Sequence, residues 1–336
     1  MFKYLDDEIP WIEKYRPKKL KNIISQDEGI SILLNTLKTG ELPHLLLYGS
    51  PGTGKTSSIL ALCNELFGPK RVNERVIELN ASDERGINVV RYKIINFAKT
   101  AIGTRDTRYV CPPYKIIILD EADAITKEAQ AALRKVMEET SNITRFCFIC
   151  NYINQIIEPI TSRCVKIRFK PIKKINIFER LKQISINEKM CINDDGLNGI
   201  ATISNGDFRK SIILLQNLKY YKKKENTIFN ENDIYDICNF INKDTLELYI
   251  NRIKINNNVD SVIEITNEII NKGYVFNSVI LKIIDYIIEN KEISDSKKGN
   301  ILFELSNVEK KINDGADELI QLISVFNNLQ YVITDT

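Results

Sequence analysis

The chain has one histidine and one tryptophan in 336 residues. A single imidazole cannot build a histidine metal cluster, so His44 is read as structural. No apolar run approaches the roughly 20 residues that span a bilayer, and Met1 to Glu8 lack the apolar core of a signal peptide. The chain is therefore expected to stay inside the cell, with no membrane partner. The seven cysteines are odd in number and scattered through apolar stretches, which suits reduced thiols rather than a disulfide framework. Cys147 and Cys150 have metal-like spacing, but they fall in an apolar strand pattern with no second pair and no nearby histidine, so zinc is not expected. A strong charge of one sign is missing as well. The net charge of +3 says nothing about partners, and any nucleic-acid surface must be local. What remains is a globular composition, 43% hydrophobic and 27% charged, long enough for two or three domains.

The most informative stretch is Gly49-Ser50-Pro51-Gly52-Thr53-Gly54-Lys55-Thr56. It follows the apolar run Leu45 to Tyr48 and precedes Ser57 to Leu62, giving the order strand, glycine loop, helix. The spacing is that of the P-loop, G-x-x-x-x-G-K-[ST]. A glycine-rich turn is usually only a turn, but here small residues expose backbone N–H groups at a positive helix N-terminus, where a β-phosphate binds. Lys55 is placed to reach the β/γ oxygens and Thr56 to ligate Mg²⁺. A nucleoside triphosphate is the expected ligand.

A second apolar run, Val76 to Leu79, leads into Asn80 to Gly86, after which Ile87, Val90, Ile94, Phe97 and Ala101 recur at helical spacing. Arg91 lies on the flank of that stripe, where a solvated face is the plain reading. Cys111-Pro112-Pro113 cannot continue a helix. Then Lys115-Ile116-Ile117-Ile118-Leu119 runs straight into Asp120-Glu121-Ala122-Asp123, a parallel strand delivering acids at its C-terminal edge, where ligands of open α/β sheets bind. Asp120 suits Mg²⁺ through water, and Glu121 suits activation of the attacking water. Capping of the helix Thr126–Glu139 is the plainer alternative, and the P-loop upstream argues against it. Strands at Arg145–Cys150, ending in Asn151, and at Val165–Phe169 complete the expected doubly wound sheet.

Pro171 marks a boundary, and beyond it only helical periodicity is found. Segments Ile177–Lys189, Asp194–Ser204 and Phe208–Leu218 read as a small three-helix unit, and helices fill the chain from about Asp233 to Val332. Arg209 stands in the first turn of its helix, where the macrodipole favours an acid, so it is read as held for a ligand. The run Lys222-Lys223-Lys224 reads as an exposed loop.

With these pieces placed, the chain resembles the small subunits of replication factor C, the AAA+ clamp loaders of archaea and eukaryotes. The resemblance rests on Trp11–Pro17 (W-[VI]-E-K-Y-R-P), Gly49–Thr56, Leu79–Gly86 (L-N-A-S-D-E-R-G), Ile118–Asp123, Ile156–Ile160 with Ser162–Cys164, and Gly206–Lys210. Cys111-Pro112-Pro113-Tyr114 suggests the eukaryotic small-subunit type, and Asp314–Leu319 carries the resemblance into the collar. Phe208 replaces the methionine or leucine usual in the Gly-Asp-x-Arg motif.

The resemblance implies an α/β AAA+ P-loop NTPase domain with a parallel five-stranded sheet over 1–170, a helical lid over 171–232 and an all-α collar over 233–336. It implies that Ile12, Arg16 and Ile24 line an adenine pocket and that Gly49, Ser50, Pro51, Gly52, Thr53, Gly54, Lys55, Thr56 and Ser57 surround the phosphates. Thr56 and Asp120 would hold the metal, Asn151 the catalytic water, and Arg209 the γ-phosphate. Arg163 would be an arginine finger entering a neighbouring subunit's site, and Arg85 and Arg91 would touch DNA phosphates. The implied cofactors are ATP and Mg²⁺. The implied partners are the other subunits of a hetero-pentamer, a sliding clamp and primer–template DNA, in the nucleus. Two other readings are weighed. An ATP-binding scaffold without turnover is opposed by Lys55, Glu121 and Asn151 all being present. A DEAD-box RNA helicase, suggested by Asp120 to Asp123, needs a second RecA-like domain, for which 171–336 has no strand pattern.

Overall fold

The computed structural model describes residues 9–80, 87–100, 107–221, 228–256 and 258–334, with backbone alone at 87–91, 99, 333 and 334. The strands are β1 (Leu45–Gly49), β2 (Val76–Asn80), β3 (Lys115–Asp120), β4 (Thr144–Cys150) and β5 (Val165–Phe169). The helices up to the end of the sheet are α1 (Trp11–Lys14), α2 (Asp27–Thr39), α3 (Lys55–Phe67), α4 (Val72–Arg75), α5 (Ile87–Lys99), α6 (Lys127–Thr140) and α7 (Glu158–Thr161). Those that follow are α8 (Lys174–Asn187), α9 (Asp194–Ser204), α10 (Phe208–Tyr220), α11 (Glu231–Ile237), α12 (Lys243–Ile255), α13 (Val259–Asn271), α14 (Phe276–Glu289), α15 (Asp295–Asn313) and α16 (Glu318–Thr334).

The strands form one five-stranded sheet in the order β2-β3-β4-β1-β5, every pair parallel. An all-parallel sheet must be covered on both faces, and strand alternation divides the residues accordingly. Leu45, Leu47 and Cys147 enter one core with residues of α2 and α3, whereas Leu46 and Cys150 enter the other with residues of α6. Cys147 and Cys150 thus face opposite ways, as their strand pattern implies. His44 is structural too: its Nδ1 accepts the Phe146 amide at 3.1 Å.

The chain divides into two compact units, one of residues 1–190 with 204–224 and another of 191–203 with 225–336. Helices α8 and α10 belong to the first unit, and nearly all of α9 to the second. In the second unit an apolar core of residues such as Ile250, Ile265, Ile283 and Phe326 is closed by α12 to α16. The amide of Phe229 donates to the Cys191 carbonyl and that of Asn193 to the Phe229 carbonyl, tying 191–193 to the start of α11. Among the described residues no helix is long and apolar enough to cross a membrane.

Candidate nucleotide site

In the first unit, the C-terminal ends of β1, β3 and β4 meet at one edge of the sheet, the place where open α/β folds bind ligands. The registers Tyr48↔Cys150 and Asn80↔Asp120 bring the loops that follow these strands to the same level. A cavity of about 260 Å³ lies there. Its floor is the loop from Pro51 to Gly54 and the first turn of α3, with Lys55, Thr56 and Ser57.

The loop has room only for glycine at two points. Gly49 has φ +141°, and a side chain there would run into the Phe169 backbone. Gly52 has φ +66°, and a Cβ would collide with the Asp207 carboxylate. Asp207 caps α10 by accepting from Lys210 N at 3.0 Å, and the Phe208 amide donates to the Gly52 carbonyl at 3.2 Å. The start of α10 is thereby seated on the glycine loop, which brings Arg209 into the cavity wall.

Lys55 is 7% exposed. Its ammonium donates to the carbonyls of Gly49 and Ser50 at 2.8 and 2.9 Å and to Asn151 Oδ1 at 2.9 Å. Burial pulls its pKa below the ordinary lysine range, opposed by the carboxylates of Asp120 and Asp123, while Arg209 adds to the lowering. Two cations facing one cavity destabilise each other and favour an anion between them. Thr56 Oγ1 donates to Asp120 Oδ2 at 2.7 Å, so the two hard oxygen donors expected to hold Mg²⁺ are already together. The glycine cradle, the buried ammonium and this oxygen pair fit a magnesium-bound triphosphate.

Glu121 borders the same cavity with φ +53°, a left-handed conformation uncommon for a side-chain-bearing residue and concentrated at functional sites. Asp123 accepts from the amides of Asn151 and Tyr152 at 3.0 and 3.1 Å, fixing the loop that presents Asn151. On the other side, Ile12, Arg16 and Ile24 line the wall. The cavity therefore gathers the expected residues from Ile12 through Arg209, with Gly49 and Ser50 meeting it through the carbonyls that hold Lys55.

Arg163 is not among them. Its guanidinium pairs with Glu138 Oε1 at 2.8 Å and donates to the Pro159 carbonyl at 2.8 Å, on the flank that carries α6 and α7. Arg85 and Lys222 to Lys224 lie outside the described residues, and Arg91 stands on α5 at a position where only the backbone is described.

Sequence reasoning missed Glu78, Tyr15 and Arg180, which also line the cavity. Burial and the nearby Asp120 carboxylate push the Glu78 carboxyl up, while Arg16 pulls it down. An acid interrupting the apolar run of β2 was its one visible signal.

Comparison with known proteins adds the family. The AAA family, ATPases associated with various cellular activities, matches residues 45–172, and the replication factor C C-terminal domain matches residues 241–326. Replication factor C subunit 2 of Schizosaccharomyces pombe is 41% identical over 324 residues, covering 96% of this chain and 94% of the relative. Replication factor C subunit 4 of Homo sapiens is 44% identical over 319 residues, covering 94% and 86%. Among solved structures, the RuvB Holliday junction branch migration motor of Thermotoga maritima superposes with a TM-score of 0.51 at 16% identity, covering 80% of this chain and 90% of that one. That likeness speaks for the AAA+ fold alone.

Proposed function

Because this chain belongs to the replication factor C family, from which it follows that it is an ATPase subunit of a clamp loader, we propose that the cavity between β1, β3 and α10 is its ATP site. The observation that carries the proposal is the convergence of Lys55, Thr56, Asp120, Glu121, Asn151 and Arg209 on one cavity. The loop amides and Lys55 bind the triphosphate tail, and Ile12, Arg16 and Ile24 receive the base. Thr56 and Asp120 hold Mg²⁺, which when bound neutralises phosphate charge and orients the tail. Glu121 takes the proton of the attacking water, and Asn151, fixed by Asp123, orients that water. Arg209 answers the charge at the far end of the tail.

Arg163 serves another site. Its exposed position away from its own cavity suits an arginine finger lent to a neighbour, a contribution of roughly 10³ to 10⁵ in rate. Each site is then complete only between two docked subunits. Residues 1–170 form the ATPase domain, 171–232 a lid and 233–336 a collar that gathers five subunits. Arg85 and Arg91 follow the phosphates of primer–template DNA, which makes recognition structural rather than sequence-specific. ATP favours the state that grips the sliding clamp and DNA together, and hydrolysis releases it. The work is done in the nucleus.

The scaffold reading lacks support because Glu121 and Asn151 are both in place at the cavity. The helicase reading needs a second sheet, and among the described residues after Phe169 there is only the isolated bridge between Ile192 and Phe229. The test is clamp loading by the complex reconstituted with and without this chain. ATP-dependent deposition of the clamp on primed DNA is expected only when the chain is present. Equal loading without it would refute the role.

A further inference from the structure

Glu188, at the C-terminal end of α8, has a side chain only 6% exposed. It accepts from Lys14 Nζ at 2.5 Å and from the Tyr15 hydroxyl at 2.6 Å, and Lys219 Nζ of α10 stands 3.5 Å away. Next to this cluster the Trp11 amide donates to Gln216 Oε1 of α10 at 3.0 Å, and Lys219 lies 5.4 Å from the centre of the Trp11 ring. Burial would push the Glu188 carboxyl up, but the bonds from Lys14 and Tyr15 outweigh it and hold the group below the ordinary range. Burial and the same bond push the Tyr15 phenol up to about 12, so it remains a donor.

These contacts fasten the segment around α1 to α8 and α10. That segment is a single helical turn of four residues, too short to be stable alone. Its place is therefore set by what it is tied to. Both sides of the tie reach the cavity: Ile12, Tyr15 and Arg16 from the segment, and Arg180, Arg209 and Ile212 from α8 and α10.

We propose that Glu188 is a positioning residue for nucleotide binding, locking the base-side arm onto the two helices that carry Arg180 and Arg209, so that both walls of the cavity are held as one body. This deepens the ATP-site reading and rests on it. With the lock closed, the cavity is pre-organised and a ligand need not order the arm on arrival. With the lock removed, that ordering is charged to binding, which lowers affinity without removing any group that touches the nucleotide.

The test is binding of a fluorescent ADP analogue with Mg²⁺ to the full chain, read beside a thermal melt without nucleotide. Glu188→Ala is expected to weaken binding about tenfold, equivalent to about 1.4 kcal/mol. Glu188→Gln still accepts from Tyr15 and is expected to recover part of the loss. Tyr15→Phe weakens binding in the wild-type background and adds little in Glu188→Ala, because the two act through one bond. If Glu188→Ala does not fold, Lys14→Met reads the same lock from its exposed end. A folded variant with a lowered melting temperature but wild-type affinity overturns the inference, leaving Glu188 merely structural. Failure of the wild-type chain itself to bind the analogue overturns the ATP-site reading and this inference with it.

Discussion

The Thr56 hydroxyl donates to the Asp120 carboxylate across 2.7 Å, bridging the first turn of α3 to the end of β3. Both side chains are oxygen donors of the kind Mg²⁺ takes. Asp120→Asn keeps the shape and removes the charge. The Mg²⁺ concentration needed for half-maximal ATP hydrolysis by the complex is expected to rise at least about tenfold, as for loss of a charged metal partner. An unchanged magnesium titration would remove Asp120 from the metal site.

Lys55 is a buried cation whose hydrogen-bond partners are the carbonyls of Gly49 and Ser50 and the Asn151 amide oxygen. Lys55→Ala is expected to abolish nucleotide binding, checked by titrating the analogue. The pH dependence has a definite sign. Burial holds the folded pKa below the ordinary 10.5, so between these values the unfolded chain carries more protons and stability without nucleotide rises with pH. A bound triphosphate reverses the shift, so binding takes up protons in that window and affinity falls as pH rises. Calorimetry in buffers of different ionisation enthalpy measures the uptake; proton release would contradict the assignment.

Gly52→Ala tests the seat of α10 on the glycine loop. The added methyl would displace Asp207, whose cap on Lys210 is worth about 1 kcal/mol, as helix caps typically are. The variant is expected to melt lower and to bind nucleotide more weakly, since Arg209 follows Asp207. A melting curve and affinity equal to wild type would show that the loop and helix do not depend on each other.

His44 sets an acid-side dependence. Burial first, and then Arg145, lower its pKa below the ordinary 6.5, and its Nδ1 is occupied as an acceptor. Below about 6.5 the unfolded chain takes up a proton that the folded one resists, so this contribution to stability is lost as pH falls. Chemical denaturation of His44→Gln is expected to show a shallower decline between neutral and mildly acid pH than wild type. Parallel declines would place the acid sensitivity elsewhere.

The sheet and the phosphate loop were legible because each is written locally. The run Leu45 to Thr56 carries a strand, a glycine turn and a helix start in twelve consecutive positions, and the acids Asp120 and Glu121 end an unbroken apolar strand. What sequence could not display is pairing over distance. Nothing in the sequence around Glu188 points to Lys14 and Tyr15, its hydrogen-bond partners 174 and 173 positions away. Lys115, the charged residue that opens β3, is 1% exposed, with its ammonium on the carbonyls of Phe97 and Thr100 at the end of α5, a contact that the strand pattern does not show. Helical periodicity likewise announced α8, α9 and α10 but not their company, because an apolar stripe says that a face is buried and not against what.

The central claim is that the ATP site is finished by a neighbour's arginine, and turnover of ATP by the purified chain alone, compared with the assembled complex on primed DNA, tests it most directly. The account predicts slow turnover alone, a rise of about 10³ or more on assembly, and loss of the rise at the adjacent site when this chain carries Arg163→Ala. Full-speed hydrolysis by the isolated chain, indifferent to partners and DNA, would contradict it.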